Sequence, residues 1–353
     1  KDNAQFLLFL TAVIKAVDDY QDLLRISVAS AGNDHRLGAN EAPPAIVSIF
    51  VGDELGAIIE SIIEGKPFKG RESSSRLDIG TSVLPKLARD NSDRNRTSPF
   101  AFTGNKFEFR MPGSSCNIAC TNVMLNTAVA DALKDFCDEL ESAEDFSTAL
   151  NTLIKRELEK HRRILFNGNG YSREWEEEAE RRGLSNYKRT PDALVHYCDE
   201  KNVSLFRRHR VYTKEEMESR LEISLDEYQK AIHIEAVTMI EMLRRQILPS
   251  ALRFSSALAS SVQMKESIGV AATADKALCA KVSALCDGLL KKVDELDECV
   301  ASSPSETEKA AFYAADKIIP AMEEARKLSD SIETFADKSY WPVPTYSEIL
   351  FYV

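Results

Sequence analysis

Charged and aromatic side chains alternate in the segment Lys106-Phe107-Glu108-Phe109-Arg110. Successive side chains of a strand point to opposite faces, so Lys106, Glu108 and Arg110 lie on one face and the two phenylalanines on the other. Such a strand can form one wall of a charged cavity. The alternative is an edge strand of an antiparallel sheet, whose polar row only forms ion pairs.

Two loops carry further charged groups that could join this strand. Residues 93–98 (DRNRTS) place Arg96 shortly before it, and the irregular loop 30–44, rich in Gly, Asn and Pro, carries His35, Arg36 and Glu41. Charged groups on loops between core elements are frequent at functional sites. The alternative for His35 and Arg36 is that they bond to neighbouring carbonyl groups.

These residue types favour the binding of a small anion. Arginine grips carboxylate and phosphoryl oxygens with two parallel hydrogen bonds. A carboxylate among the arginines, Glu108, suits a Mg²⁺ or Mn²⁺ ion, because hard cations take oxygen ligands. Glu41 is a candidate proton acceptor or lid residue. No convincing Ser/His/Asp or Cys/His set, zinc spacing or Walker sequence is present, so the residues indicate an anion site and leave phosphoryl transfer open.

Composition limits the class of partner. The 353 residues carry a net charge of −11, with 44% hydrophobic and 29% charged residues, which is ordinary for a soluble globular protein. An acidic chain argues against nucleic acid or an anionic membrane as the main partner. No apolar run is long enough for a membrane span and no signal peptide is seen. The first residue is Lys1, and we expect the chain to be part of something longer.

The seven cysteines predict a reducing compartment. They are odd in number and lack the spacing of metal ligands, so we expect free thiols rather than disulfides. Cys116, Cys120, Cys279 and Cys286 are predicted to be buried.

The elements that must position these groups change in character along the chain. Periodicity predicts helices over 4–20, 53–63 and 117–140, and buried strands over 23–29 and 45–51. Beyond residue 143 the pattern is almost entirely helical, with a turn at 166–172 whose glycines and asparagines tolerate positive φ. Ser172 and Thr213 are predicted N-caps, and Pro249 is expected to kink a helix over 224–262. Two further helices, about 274–301 and 305–337, would complete a bundle.

Several segments resemble the C-terminal half of type III glutamine synthetases. The segment from His35 to Pro43 (HRLGANEAP) resembles the family's substrate loop and flap, and Asn95-Arg96-Thr97-Ser98 its phosphoryl-contact motif. Lys106 to Arg110 resembles its strand of basic-x-Glu-x-Arg. NRTSPFAFTGNKFEFRMPGSS, FNGNGYS and the ending WPVPTYSEILF resemble type III members in particular.

The resemblance implies roles for five residues. Arg36 and Arg110 would bind the carboxylates of glutamate, and Arg96 would contact the transferring phosphoryl group, the substrate and the nucleotide. Glu108 would be one ligand of a divalent metal, Mg²⁺ or Mn²⁺. Glu41 would close over the site and help to deprotonate ammonium. The family reaction phosphorylates the γ-carboxylate of glutamate with ATP, after which ammonia displaces phosphate.

Two departures from the family pattern stand out. Shorter bacterial enzymes carry a further arginine five residues after the one in the Asn-Arg-Ser motif, and that offset falls here on Ala101, expected in a shortened loop. The nucleotide contact would then pass to Lys106 or Arg94. The upstream family elements are also missing, so we expect this polypeptide to be inactive alone.

The implied architecture is α+β. Residues 1–145 would be part of the antiparallel-sheet catalytic domain, 146–338 the helical extension of type III enzymes, and 339–353 an aromatic tail that docks on the core or on a neighbouring subunit. The resemblance also implies a cytoplasmic homo-oligomer of stacked rings, a dodecamer by expectation, with active sites between subunits. Two alternatives stay open: a ligase that joins glutamate to another amine, and a non-catalytic scaffold of the same fold.

Overall fold

A computed structural model describes residues 4–39, 42–68, 76–77, 87–88 and 97–351. By its internal contacts the chain divides into two compact units, Lys1–Leu221 and Glu222–Val353. Helices dominate, and a small sheet accompanies them in the first unit, so the predicted α+β class is confirmed. None of the helices in the described residues is long and apolar enough to span a bilayer.

The first helices of unit 1 are α1 (Ala4–Asp19), α2 (Gln21–Ile26) and α3 (Ala31–Asp34). The predicted helix over 4–20 is confirmed, and α1 buries Leu10, Ile14 and Val17 completely or nearly so. The strand predicted over 23–29 is wrong, because this apolar run forms α2 and the turn after it. A short apolar run has no period that separates a strand from a buried helix.

The larger of the two sheets described in unit 1 has three short strands, in the order β1 (Ile49–Phe50), β4 (Phe100–Phe102) and β5 (Phe107–Phe109). β1 (Ile49–Phe50) is followed by α4 (Gly52–Glu64), by a two-stranded pair of β2 (Arg76–Leu77) and β3 (Leu87–Ala88), and then by β4 (Phe100–Phe102) and β5 (Phe107–Phe109). β1 is parallel to β4, and β4 is antiparallel to β5. Only Ile49–Phe50 of the predicted strand over 45–51 joins the ladder, although the residues before it are buried.

Helices complete unit 1, and two of them start at the predicted caps Ser172 and Thr213. They are α5 (Ala119–Glu141), α6 (Phe146–Lys160) with a 3₁₀ turn at Arg162–Ile164, α7 (Arg173–Arg181), α8 (Thr190–Leu194), α9 (Glu200–Arg208) and the first residues of α10 (Lys214–Met242). The Ser172 hydroxyl accepts a bond from the Trp175 amide at 3.2 Å. Thr213 and Glu216 exchange two bonds of 2.8 and 3.2 Å, which forms a capping box.

Unit 2 is a helical bundle with α12 in contact with both of its neighbours. It contains the rest of α10, a π-helical turn (Leu243–Ile247), α11 (Leu248–Ser267), α12 (Thr273–Ala301), α13 (Thr307–Tyr313), a second π-helical turn (Ala314–Ile318), α14 (Ile319–Glu333) and α15 (Tyr346–Leu350). α12 packs against α11 and α14. The buried residues of α12 are spaced alternately by four and three, as in a coiled-coil seam: Val282, Cys286, Leu289, Val293 and Leu296.

Two prolines of unit 2 are accommodated by widened helical turns. Pro249 and Pro320 each occupy the second position of a helix that directly follows a π-helical turn. Proline has no N–H and its ring collides with the preceding turn, and π turns occur inside helices where such a local mismatch must be absorbed. Helical structure continues on both sides of Pro249, and the kink expected there stays a prediction.

The aromatic tail makes contacts within unit 2. Trp341 is buried, and the ring of Tyr340 lies 5.6 Å from that of Phe254 on α11. Thr345 and Glu348 repeat the capping-box pattern at the start of α15, with the Thr345 amide donating to Glu348 at 2.8 Å. A boundary at residue 339 stays a prediction.

All seven cysteines are free thiols in the structure. Cys286 is buried and Cys279 is half-buried, but Cys116 and Cys120 are exposed, so the predicted burial is wrong for that pair. Cys116 lies in the polar turn before α5 and Cys120 in its first turn.

Candidate active site

The alternation predicted for β5 is present in the structure. Phe107 and Phe109 both face Phe100 of β4, with ring centroids 5.3 and 5.8 Å away. On the other face Glu108 lies between two cations: Arg110 donates to its Oε2 at 2.9 Å, and Lys106 Nζ is 3.5 Å from its Oε1. The aromatic face therefore anchors the strand, and the ionic face presents one carboxylate and two cations.

The ion row favours the charged form of Glu108. The hydrogen bond from Arg110 lowers the pKa of the Glu108 carboxyl below its ordinary value of 4.5. This stabilisation is therefore present above pH 4.5 and is lost as the pH falls through the lowered pKa. At neutral pH Glu108 is an anionic oxygen donor.

Arg36 lies directly against the end of this strand. Its guanidinium donates to the carbonyl of Met111 at 2.9 Å and to the carbonyl of Arg110 at 3.2 Å. The structure thus brings together the two basic segments that the sequence placed 74 residues apart. The alternative, that Arg36 bonds to neighbouring carbonyl groups, is also present, because part of its guanidinium donates to these two carbonyls.

Asn33 holds Arg36 and the Met111 carbonyl together through its side-chain amide. Its buried amide donates to the carbonyls of Val28 (2.8 Å) and Met111 (3.1 Å) and accepts from Arg36 at 3.2 Å. The sequence reasoning missed Asn33. The only available signal was an asparagine three residues before Arg36, at the start of an irregular loop.

The opposite side of the same loop is held by Asp34. The fully buried Arg25 donates to Asp34 at 3.0 Å, and the amide and hydroxyl of Thr190 donate to it at 2.6 and 2.8 Å. Burial raises the pKa of Asp34, although these donors oppose that shift. Arg25 also donates to the Tyr187 carbonyl at 2.8 Å. Arg36 therefore extends from a loop that is anchored on two sides.

Glu41 and Arg96, the two residues predicted to be catalytic, lie outside the described residues. Arg94 lies outside them as well. The nearest described position is Thr97, whose hydroxyl accepts a bond from the Gly170 amide at 2.8 Å. The roles of Glu41 and Arg96 therefore stay predictions.

The position of the missing arginine is occupied by a buried alanine. Ala101 lies in β4 rather than in a loop, is 1% exposed and stands directly across from Glu108 in the ladder. Lys106, the predicted substitute, is exposed and lies on the same strand face as Glu108. Its contact with a nucleotide stays a prediction.

Glu108 by itself is an incomplete metal site. In the described part of the chain the one group of three His, Cys, Asp or Glu side chains with converging ligand atoms is Asp18, Asp19 and His161, far from this strand in the sequence. There Lys15 pairs with Asp19 at 2.6 Å and Arg163 with Asp18 at 2.9 Å, so that cluster is a buried ion network. A metal at Glu108 would need further ligands from outside the described residues.

Comparison with known proteins supports the resemblance predicted from the motifs. Residues 149–266 match the glutamine synthetase C-terminal domain family. The chain is 41% identical to the type-3 glutamine synthetase of Dictyostelium discoideum, 39% to a glutamine synthetase of Butyrivibrio fibrisolvens and 37% to one of Bacteroides fragilis, in each case over 99% of this chain. The chain resembles half of a type-3 glutamine synthetase.

The match covers only part of the length of these relatives. The chain spans 49–50% of the length of these relatives. Together with the C-terminal domain match, this is consistent with the predicted C-terminal half. The match reaches from the loop of Arg36 through β5 and the helices of unit 2.

Proposed function

We propose that the protein containing this chain is a glutamate–ammonia ligase that makes glutamine through γ-glutamyl phosphate, with ATP and a divalent metal. The observation that carries the proposal is the contact between Arg36 and the carbonyls of Arg110 and Met111. It places two arginines and the Glu108 carboxylate at one end of one strand, in a chain similar to glutamine synthetases.

The described residues suit the binding of a dicarboxylate amino acid. Arg36 and Arg110 are both half-buried, so their interactions with a carboxylate are less screened by water than those of an exposed arginine. Arginine matches a carboxylate with two parallel bonds. We assign the carboxylates of glutamate to these two arginines, and the phosphoryl oxygens to Arg96.

Glu108 and Arg110 neutralise each other in the described structure. A cation bound to Glu108 and a carboxylate bound to Arg110 would replace this one ion pair by two. Glu108 would hold the divalent ion as one of its ligands, and the ion would supply positive charge to the phosphoryl oxygens. Lys106 is assigned to the nucleotide and Glu41 to the closing of the site and the proton of ammonium.

The expected assembly is a homo-oligomer of stacked rings, and the expected compartment is the cytoplasm. Both follow from the resemblance, together with the substrates glutamate, ammonia and ATP. Free thiols at all seven cysteines are compatible with a reducing compartment.

The decisive experiment uses the complete gene product that contains this sequence. Glu108→Gln removes the anionic ligand and keeps the shape, and we expect weaker metal binding and a loss of metal-dependent glutamine formation of about a hundredfold or more. Arg110→Lys should raise the KM for glutamate about ten- to hundredfold, because the two-point grip is lost.

Glu139→Gln is the matched control. Glu139 is also an exposed carboxylate paired with an arginine, Arg156 at 2.8 Å, but it lies on α5 away from β5. The Glu139→Gln variant should be as active as the unmodified protein. Full metal-dependent synthesis by Glu108→Gln would refute the catalytic assignment, and a preference for small amines over ammonium would favour the amine ligase.

A further inference from the structure

A cavity of about 640 Å³ lies in unit 1, and no residue of β5 lines it. One wall is a face of α4, on which the small residues Gly56 and Ala57 leave space between the carboxylates Asp53 and Glu60. The segment between α6 and α7 and the end of α7 form the other wall. Three arginines line the cavity there: Arg162, Arg163 and Arg182.

Two of these arginines are held in place by hydrogen bonds to other parts of unit 1. Arg163 Nε donates to both carboxylate oxygens of Asp18, at 2.9 and 3.1 Å. Arg182 Nε donates to Glu178 at 2.8 Å, and its Nη1 donates to the Leu165 carbonyl at 2.9 Å. Because their side chains are already ordered, little conformational entropy is lost when either arginine binds a ligand.

The same arginines retain donors that are not used within the structure. The Nη2 groups of Arg163 and Arg182 make no hydrogen bond to any described residue. Arg162 is 58% exposed, and its ion-pair partner among the described residues is Glu60, at 2.8 Å. Three guanidinium groups therefore border one cavity with N–H groups still available.

We propose that this cavity binds a small oxyanion, through a phosphoryl or carboxylate group held by Arg162, Arg163 and Arg182. Planar guanidinium groups match the oxygens of both groups. The chain as a whole carries −11 and repels anions, so binding requires such a local concentration of arginine. Glu60 competes with the anion for Arg162. None of these residues has a role in the proposed ligase, so the two proposals stand independently.

The competition by Glu60 makes opposite predictions for two surface substitutions. Arg162→Gln removes a donor and should weaken anion binding about tenfold, the effect of one charged contact. Glu60→Gln removes a negative charge and releases Arg162, and should tighten binding several-fold. Neither side chain is buried, so both variants are expected to fold.

The measurement is hydrogen exchange read by mass spectrometry on the complete protein, titrated with inorganic phosphate in one arm and succinate in another. We expect saturable protection of peptides that cover 52–60, 160–167 and 178–184. Peptide-level readout separates this cavity from any anion bound near β5. The arm with the lower midpoint identifies the preferred group.

Arg173→Gln serves as the control, because it removes an exposed arginine, also paired with a glutamate, at the far end of α7. It should leave both midpoints unchanged. The proposal is overturned if neither anion gives saturable protection of these peptides, or if Arg162→Gln and Glu60→Gln shift the midpoint equally or in the same direction.

Discussion

Among single residues, Asn33 has the largest expected influence on the arginines of the candidate site. Its buried amide joins Val28, Met111 and Arg36 in one network. Asn33→Ala leaves the Val28 carbonyl without its donor and releases one bond to Arg36, which should cost about 1–3 kcal/mol of folding free energy. If Arg36 binds glutamate, the KM for glutamate should also rise, with a smaller change in kcat.

The control for this prediction is Ser30→Ala in the complete protein. The Ser30 hydroxyl accepts a hydrogen bond from the backbone N–H of Asn33 at 3.3 Å and so caps α3. It makes no contact with Arg36. Its loss should lower stability by about 1 kcal/mol and leave the KM unchanged. Equal effects of both substitutions on the KM would show that Asn33 acts only through stability.

At this scale the sequence predicted the alternation of side chains along a strand better than the contacts that hold them. Residue type and alternation placed Glu108 between Lys106 and Arg110, and this was confirmed. The contact of Arg36 with the Arg110 carbonyl depends on a chain path that no local pattern encodes. Arg25 shows the same limit, since it reads as a charge in an apolar run but is fully buried against the Tyr187 carbonyl, 162 residues away.

At the scale of elements, the turn at 166–170 is hydrogen-bonded to other parts of unit 1, among them the start of α4 and Thr97. Asn167 accepts from the amides of Val51 and Gly52 at the start of α4, at 3.0 and 3.1 Å, and Gly170 donates to Thr97. The predicted reason for its glycines is wrong, since neither Gly168 nor Gly170 has positive φ. Gly170 is required because a Cβ there would overlap the Thr97 carbonyl oxygen.

This close approach predicts a large effect of Gly170→Ala. The added methyl group must displace Thr97 or the turn, and overpacking of this kind costs about 1–3 kcal/mol. Thermal or denaturant unfolding of the variant measures the loss. Gly288→Ala is the control, because its Cβ would meet Leu328 at an ordinary 3.5 Å within α12 and should be neutral or stabilising. A neutral Gly170→Ala would contradict the close approach of Gly170 to Thr97.

Helices were more predictable than the strands over 23–29 and 45–51, for a physical reason. A helix carries its own period and its caps, as at Ser172 and Thr213, so local sequence determines where it starts. A two-residue strand such as β1 exists because β4 and Leu165 lie beside it. The pairing partner comes from distant sequence, and the apolar run before β1 has no feature that ends the ladder at Ile49.

For the molecule as a whole, its division into two units makes Cys286 a native probe of unit 2. Cys286 is 2% exposed and lies in the seam of α12, beside Leu289, which is fully buried. Burial raises the pKa of the Cys286 thiol, so its reaction with an alkylating reagent requires unit 2 to open. The reaction rate therefore reports the free energy of that opening.

Leu289→Ala should accelerate alkylation of Cys286 strongly. Truncation of a fully buried leucine costs about 2–5 kcal/mol, which corresponds to a rate increase of roughly thirtyfold or more when opening is in rapid equilibrium. Peptide mapping after timed alkylation of the complete protein measures this rate.

Leu290→Ala is the control, since Leu290 on the same helix is 47% exposed and its truncation should change the rate little. Cys116 should react at once in every variant, because its thiol lies on the surface of unit 1. Equal rates for Leu289→Ala and Leu290→Ala would mean that α12 is not the packed centre from which the stability of unit 2 derives.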